Sequence, residues 1–138
     1  MPEKYKGTVL CVDDEPTPLA LRKKVLETHG YRVLTATNAE GALNIFETEE
    51  IDVVLTDHLL QSQTGTALAA EMKYRKPDTA VAIYSGVLQP PEDIHKADAF
   101  ITKLVSIQEL LDYVDSAISA KNKRQGIKGN IAKSQGAS

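Results

Sequence analysis

The sequence predicts an α/β domain, a doubly wound five-stranded parallel sheet with helices on both faces. Three observations carry that prediction. Five short segments rich in β-branched and aliphatic residues recur, at 8–12 (TVLCV), 31–36 (YRVLTA), 52–56 (DVVLT), 80–84 (AVAIY) and 99–102 (AFIT). The stretches between them carry apolar residues at helical spacing. The strands are almost continuously apolar, the pattern of a sheet covered on both sides by crossover helices rather than one facing water.

Each element has its own signal. Leu19, Arg22, Val25, Leu26 and His29 trace a helix after the first strand, and Gly30 stands where a C-terminal cap belongs. Asn38 occupies the N-cap position of a second helix whose apolar stripe is Ala39, Ala42, Leu43 and Phe46. In the last helix Ile107, Leu110, Leu111, Val114 and Ile118 share one face, and Ser106-Ile-Gln-Glu109 fits a capping box. The interval between the fourth and fifth strands is the shortest, and Pro90-Pro91 interrupts it. Only about two turns of helix fit from Pro91 toward Lys96, so the fourth crossover is predicted to be short or irregular.

Length and composition bound the function. A chain of 138 residues with 42% apolar and 25% charged residues reads as one soluble domain, which excludes collagen-like, wholly disordered and disulfide-scaffold classes. The single cysteine, Cys11, lies in an apolar strand and reads as a buried, inert thiol. No apolar run approaches the ~18 residues of a membrane span, and the N-terminus lacks a signal peptide's apolar stretch. A cytoplasmic protein with no membrane contact is expected. Charge is uneven: Lys121, Lys123, Arg124, Lys128 and Lys133 give 121–138 a charge of +5 with no acid, leaving −8 on 1–120. An acidic body argues against nucleic-acid binding and suits cation binding. The chain is therefore divided into an N-terminal extension (1–7), the domain (8–120) and a basic, disordered tail (121–138).

The strand ends carry the chemistry. Asp13-Asp14-Glu15 follow the first strand, Asp57 the third, Ser85-Gly86 the fourth and Lys103 the fifth. In a doubly wound sheet, functional groups gather beyond the carboxyl ends of the strands. Clustered carboxylates repel one another unless a cation intervenes, and an oxygen-only donor set with room for water favours magnesium. A lysine and a hydroxyl beside a metal-bound carboxylate make a place for a phosphoryl group, with Asp57 as nucleophile. Singly, each residue has a plainer reading. Asp13 or Asp14 could cap the first helix ahead of Pro16, Lys103 could be a surface residue, Ser85 a turn residue and Phe100 core. His29, His58 and His95 are read as structural or solvated.

Taken together these residues resemble the receiver domain of two-component response regulators. The resemblance covers roughly residues 8–120. It rests on Asp13-Asp14, on Asp57 with Gly65 eight residues on, on Ser85-Gly86, and on Phe100 three residues before Lys103. It implies a flavodoxin-like receiver fold in which Asp57 accepts a phosphoryl group from a histidine kinase or phosphotransfer protein. It also implies magnesium on Asp14, Asp57 and the Leu59 carbonyl, with Asp13 reaching it through water. Ser85 would move toward the phosphoryl group and Phe100 would change rotamer as the readout.

The sequence departs from the family in several places. Leu60-Gln61 stand where receivers commonly have Met-Pro, so the loop after Asp57 lacks a stiffening proline. Leu104 follows Lys103 where the family usually has a cis proline, and a cis bond before Leu would cost ~2.5–4 kcal/mol. Phe100 and Lys103 also lie closer to Ser85 than the family's aromatic and lysine do. In receivers the positions two beyond the acceptor and two beyond the Ser/Thr carry side chains that orient the hydrolytic water. Here they are Leu59 and Val87, which implies a long-lived phosphorylated state.

The leading expectation is a stand-alone receiver, not itself an enzyme, that signals by binding an unidentified protein target. Two alternatives belong to other classes. An Asp-nucleophile phosphatase would want a general acid near Asp57, often an Asp two residues on, where Leu59 stands. A degenerate receiver would act as an interaction module without phosphorylation.

Overall fold

The computed structural model describes residues 4–136, with side chains through residue 126. Strands β1 (Thr8–Val12), β2 (Arg32–Ala36), β3 (Val53–Thr56), β4 (Ala80–Ser85) and β5 (Ala99–Thr102) form one sheet in the order β2-β1-β3-β4-β5. All neighbours are parallel, as the apolar strands predict. The chain winds outward from β1 to β2 and then returns to the other side of β1, so the order reverses between β1 and β3. Register sets Val12 beside Thr56 and Ser85 beside Thr102. The residues that follow β1, β3, β4 and β5 therefore leave the sheet along a common edge.

Alternating side chains serve opposite faces of the sheet. Val9, Cys11, Val53 and Leu55 pack with Leu19 and Leu26 of α1 (Pro16–Thr28) and with Leu110, Leu111, Val114 and Ile118 of α4 (Ile107–Gly136). Leu10, Val12, Val54, Val81 and Ile83 pack on the other face. Their partners are Ala42 and Phe46 of α2 (Ala39–Thr48) and Leu68, Ala69 and Met72 of α3 (Gly65–Arg75). The predicted caps are present. Gly30 has φ +95° just beyond α1, and Tyr31 N–H donates to the Leu26 carbonyl across it. The Asn38 side chain accepts from Gly41 N–H, and Ser106 Oγ accepts from Glu109 N–H.

The fourth crossover is shorter still than the two turns allowed for it. Between β4 and β5 the structure has a single 3-10 turn, Ile94–Lys96. No peptide among the described residues is cis, so the Lys103–Leu104 bond is trans.

Two boundaries read from composition need correction. Helix α4 does not end at 120 but runs to Gly136, so residues 121–136 of the tail expected to be disordered continue the helix, while 137–138 lie outside the described residues. Lys121 explains why its start is ordered. Its stem is buried, and its ammonium donates to the Ile51 carbonyl at 2.7 Å and to Thr79 Oγ1 at 3.4 Å, with Asp52 Oδ1 at 3.6 Å. Arg124 then donates to the Asp78 carbonyl at 2.8 Å. A count of apolar residues misses this, because long basic side chains bury their stems while satisfying carbonyls at the sheet's edge. The N-terminal extension is likewise part of the domain at its inner end: Lys6 N–H donates to the Gly30 carbonyl, and Arg32 N–H donates to that of Gly7.

Candidate functional site

Asp13 leaves the end of β1 fully buried. Its Oδ1 accepts the Glu15 N–H at 3.0 Å, so it does secure the start of α1, whose N-cap residue Glu15 makes no side-chain cap of its own. Its Oδ2 accepts from Lys103 Nζ at 3.1 Å and from a guanidinium nitrogen of Arg22 at 3.4 Å. Burial works to raise the pKa of this carboxyl. The Glu15 amide, the Lys103 hydrogen bond and charge, and the Arg22 charge together outweigh it and hold Asp13 below its ordinary value.

Asp57 leaves the end of β3 half-buried. Its Oδ1 accepts from His58 N–H at 2.7 Å and from Ser85 Oγ at 3.1 Å, and its Oδ2 faces Lys103 Nζ at 3.3 Å. Lys103, carried by the end of β5, thus bridges the carboxylates that follow β1 and β3. Asp14 completes the group: one oxygen from each of Asp13, Asp14 and Asp57 lies within 4.8 Å of the others. Three hard oxygen donors at the carboxyl ends of the strands, one buried and two half-buried, fit a magnesium ion with water in its remaining positions.

The loop after Asp57 is held without the absent proline. Leu59 bridges Thr64, and Gly65 N–H donates to the His58 carbonyl at 2.7 Å. Gly65 is required by this closure, since a Cβ there would stand 2.3 Å from the Asp57 carbonyl oxygen. Thr64 caps α3 by accepting from Ala67 N–H, and Thr66 Oγ1 donates to Asp93 Oδ2 at 2.9 Å, tying α3 to the short crossover.

The structure brings Asp13, Asp14, Asp57, Ser85 and Lys103 together as the strand ends predict. Phe100 sits apart from them, half-buried in β5 opposite Ile83 and packed with the core on the α2–α3 side. Of the histidines, His29 and His95 are exposed, and His58 has a buried Nδ1 with no hydrogen-bond partner. Sequence reasoning missed Arg22 as a member of the site. The sequence puts Arg22 on the apolar stripe of the first helix, and a charged residue on a buried stripe is itself the signal, because it must find a partner.

The family model of the response regulator receiver domain matches residues 9–115. The chain belongs to that family. Receiver domains of two-component systems are signalling modules phosphorylated by histidine kinases, and they bind magnesium in an acidic pocket. Among curated relatives, the probable transcriptional regulator ycf27 of Guillardia theta is 31% identical over 126 residues, which are 86% of this chain and 48% of the relative. Transcriptional regulatory protein GlrR of Escherichia coli is 29% identical over 80% of this chain and 26% of its own length. The chain thus spans half or less of these relatives. In structure it is similar to response regulator TrrA of Thermotoga maritima, solved with Mg(2+)-BeF, at TM-score 0.76 and 28% identity over 80% of this chain and 98% of that one. TrrA has also been solved in complex with histidine kinase ThkA. Among the described residues no helix is long and apolar enough to cross a membrane.

Proposed function

We propose that this receiver accepts a phosphoryl group on Asp57 from a histidine kinase or a histidine phosphotransfer protein and signals by binding another protein. The observation that carries the reading is the convergence of Lys103 and Ser85 on the Asp57 carboxylate beside Asp13 and Asp14. In the transfer, an Asp57 oxygen attacks phosphorus, a P–O bond forms, and the P–N bond to the donor imidazole breaks with its electron pair left on nitrogen. Asp14, Asp57 and the Leu59 carbonyl would hold magnesium, with Asp13 reaching it through water, and the ion would supply charge neutralisation at the transferring oxygens. Lys103 leaves its place between the two carboxylates to meet a phosphoryl oxygen, and Ser85 turns its hydroxyl from Asp57 Oδ1 to another. Phe100, half-buried at the edge of the core, is the residue whose rotamer reports the change.

The test is incubation with magnesium and acetyl phosphate followed by intact mass. One added phosphate is expected, lost in Asp57→Asn and in the presence of EDTA. Equal gain in Asp57→Asn would remove the acceptor assignment, and no gain at all would favour an interaction module that works without phosphorylation.

A further inference from the structure

Arg22 lies in the middle of α1 on the stripe that includes Leu19 and Leu26, and it is only 8% exposed. A guanidinium so buried must be paired, because its desolvation is otherwise uncompensated. Two contacts fix it: Asp13 Oδ2 at 3.4 Å, and the ring of Tyr84 at 4.6 Å from the guanidinium carbon to the centroid. Tyr84 belongs to β4 and immediately precedes Ser85, so the cation is clamped between the first and fourth strand ends. The other cation on Asp13, Lys103, has a side chain 28% exposed and also serves Asp57. One of the two positive charges is therefore shared with Asp57 and partly open to solvent, while the other is buried against Asp13.

We infer that Arg22 is a fixed counter-ion of the acidic site, supplying from helix α1 part of the positive charge that a divalent cation would otherwise supply. The inference rests on the reading that Asp13, Asp14 and Asp57 hold the metal. Three carboxylates face two basic side chains, so the metal-free cluster carries one net negative charge instead of three. That arrangement has two consequences. A unit charge locked against one ligand opposes an incoming doubly charged ion and weakens its binding. When Lys103 leaves Asp13 for a phosphoryl oxygen, Arg22 stays behind, and the buried Asp13 carboxylate keeps a partner. Arg22 is thus a positioning residue that trades metal affinity for a site already assembled before metal arrives.

Calorimetric magnesium titration of the wild type, Arg22→Met, Arg22→Lys and Asp14→Asn tests this, with circular dichroism as the check on folding. Removing the charge in Arg22→Met should tighten magnesium binding by about tenfold, while Arg22→Lys stays within about threefold of wild type. Tighter binding by a variant that has lost a buried contact is not what a purely structural arginine gives. Should Arg22→Met fail to fold, Arg22→Gln, which keeps a donor for Asp13 without its charge, is read the same way. If binding is lost in Asp14→Asn yet unchanged or weaker in Arg22→Met, the counter-ion role is overturned and the metal site stands. Binding that survives Asp14→Asn, or is absent throughout, overturns the metal reading and the inference with it.

Discussion

The Ser85 hydroxyl donates to Oδ1 of Asp57 at 3.1 Å, across the gap between the ends of β4 and β3. The same oxygen takes the His58 N–H at 2.7 Å, so both of its lone pairs are engaged while Oδ2 faces Lys103. The carboxylate is oriented before any phosphoryl donor arrives, and orientation of a nucleophile is a rate effect.

Ser85→Ala should therefore still be phosphorylated on Asp57 by acetyl phosphate, but about tenfold more slowly, the size expected for one hydrogen bond to a charged group. Ser85→Thr keeps the hydroxyl and should restore most of the rate. Initial rates by intact mass decide it; an alanine variant as fast as wild type would show that the hydroxyl does not orient Asp57.

Gly65 is the second constraint on Asp57. An added Cβ would meet the Asp57 carbonyl oxygen at 2.3 Å and the His58 Cα at 2.9 Å, both backbone atoms that cannot swing aside. Gly65→Ala should displace the acceptor loop, costing about 1–3 kcal/mol of stability and most of the phosphorylation rate. Urea unfolding and the same mass assay check it, and wild-type behaviour in both would mean the loop is looser than this closure implies.

Cys11 is fully buried in β1, and burial foremost pushes its thiol up to about 12, with Arg22 opposing and Asp13 assisting. The folded state thus keeps the thiol neutral. Stability is unaffected below the ordinary thiol pKa of about 8.5 and declines above it, as the unfolded chain gains ionisation that the folded chain resists. Iodoacetamide at pH 9 should label native protein at least a hundredfold more slowly than protein in urea. Labelling of the native protein at the denatured rate would contradict the burial.

Much of the site was legible because its chemistry sits at strand ends, and strands are the clearest signal in this chain. Once β1, β3, β4 and β5 are placed, Asp13, Asp57, Ser85 and Lys103 must converge, whatever the loops do. Three features escaped for one shared reason: they depend on where a long or small polar side chain reaches. Arg22 reads as a helix-face residue until Asp13 is seen beneath it. Thr64 carries no signal in the loop after Asp57 until it is found bridging Leu59 and capping α3, where it stands in for the missing proline. Lys121 reads as tail charge until its ammonium is found on the Ile51 carbonyl.

Lys121 gives the corrected boundary a direct test. Lys121→Met keeps the buried stem but removes the charged donor at 2.7 Å, leaving the Ile51 carbonyl only the Thr79 hydroxyl at 3.3 Å. The expected loss is about 1–3 kcal/mol, seen as a lower urea midpoint at unchanged slope. An unchanged midpoint would return residue 121 to the solvated tail that its composition suggests.

The lifetime of the proposed phosphorylated state is expected to turn on Leu59 and Val87. An acyl phosphate is hydrolysed when a water is held in line with phosphorus, and polar side chains beside the acceptor are what hold it. Val87 is half-buried, and its backbone N–H lies 3.5 Å from the oxygen of Ser85, the group that would meet the phosphoryl oxygens. Leu59 is 62% exposed, two residues beyond Asp57. A side chain that open does not seal the site; it acts by offering water no hydrogen bond. Solvent near Asp57 is then present but not oriented, and slow hydrolysis is expected. Leu59→Asn with Val87→Glu supplies an amide and a carboxylate at the two positions and should shorten the half-life of the phosphorylated form several-fold. The decay is followed by intact mass after acetyl phosphate is removed. Equal decay in the double variant and the wild type would show that access of water, not its orientation by these two side chains, limits the reaction.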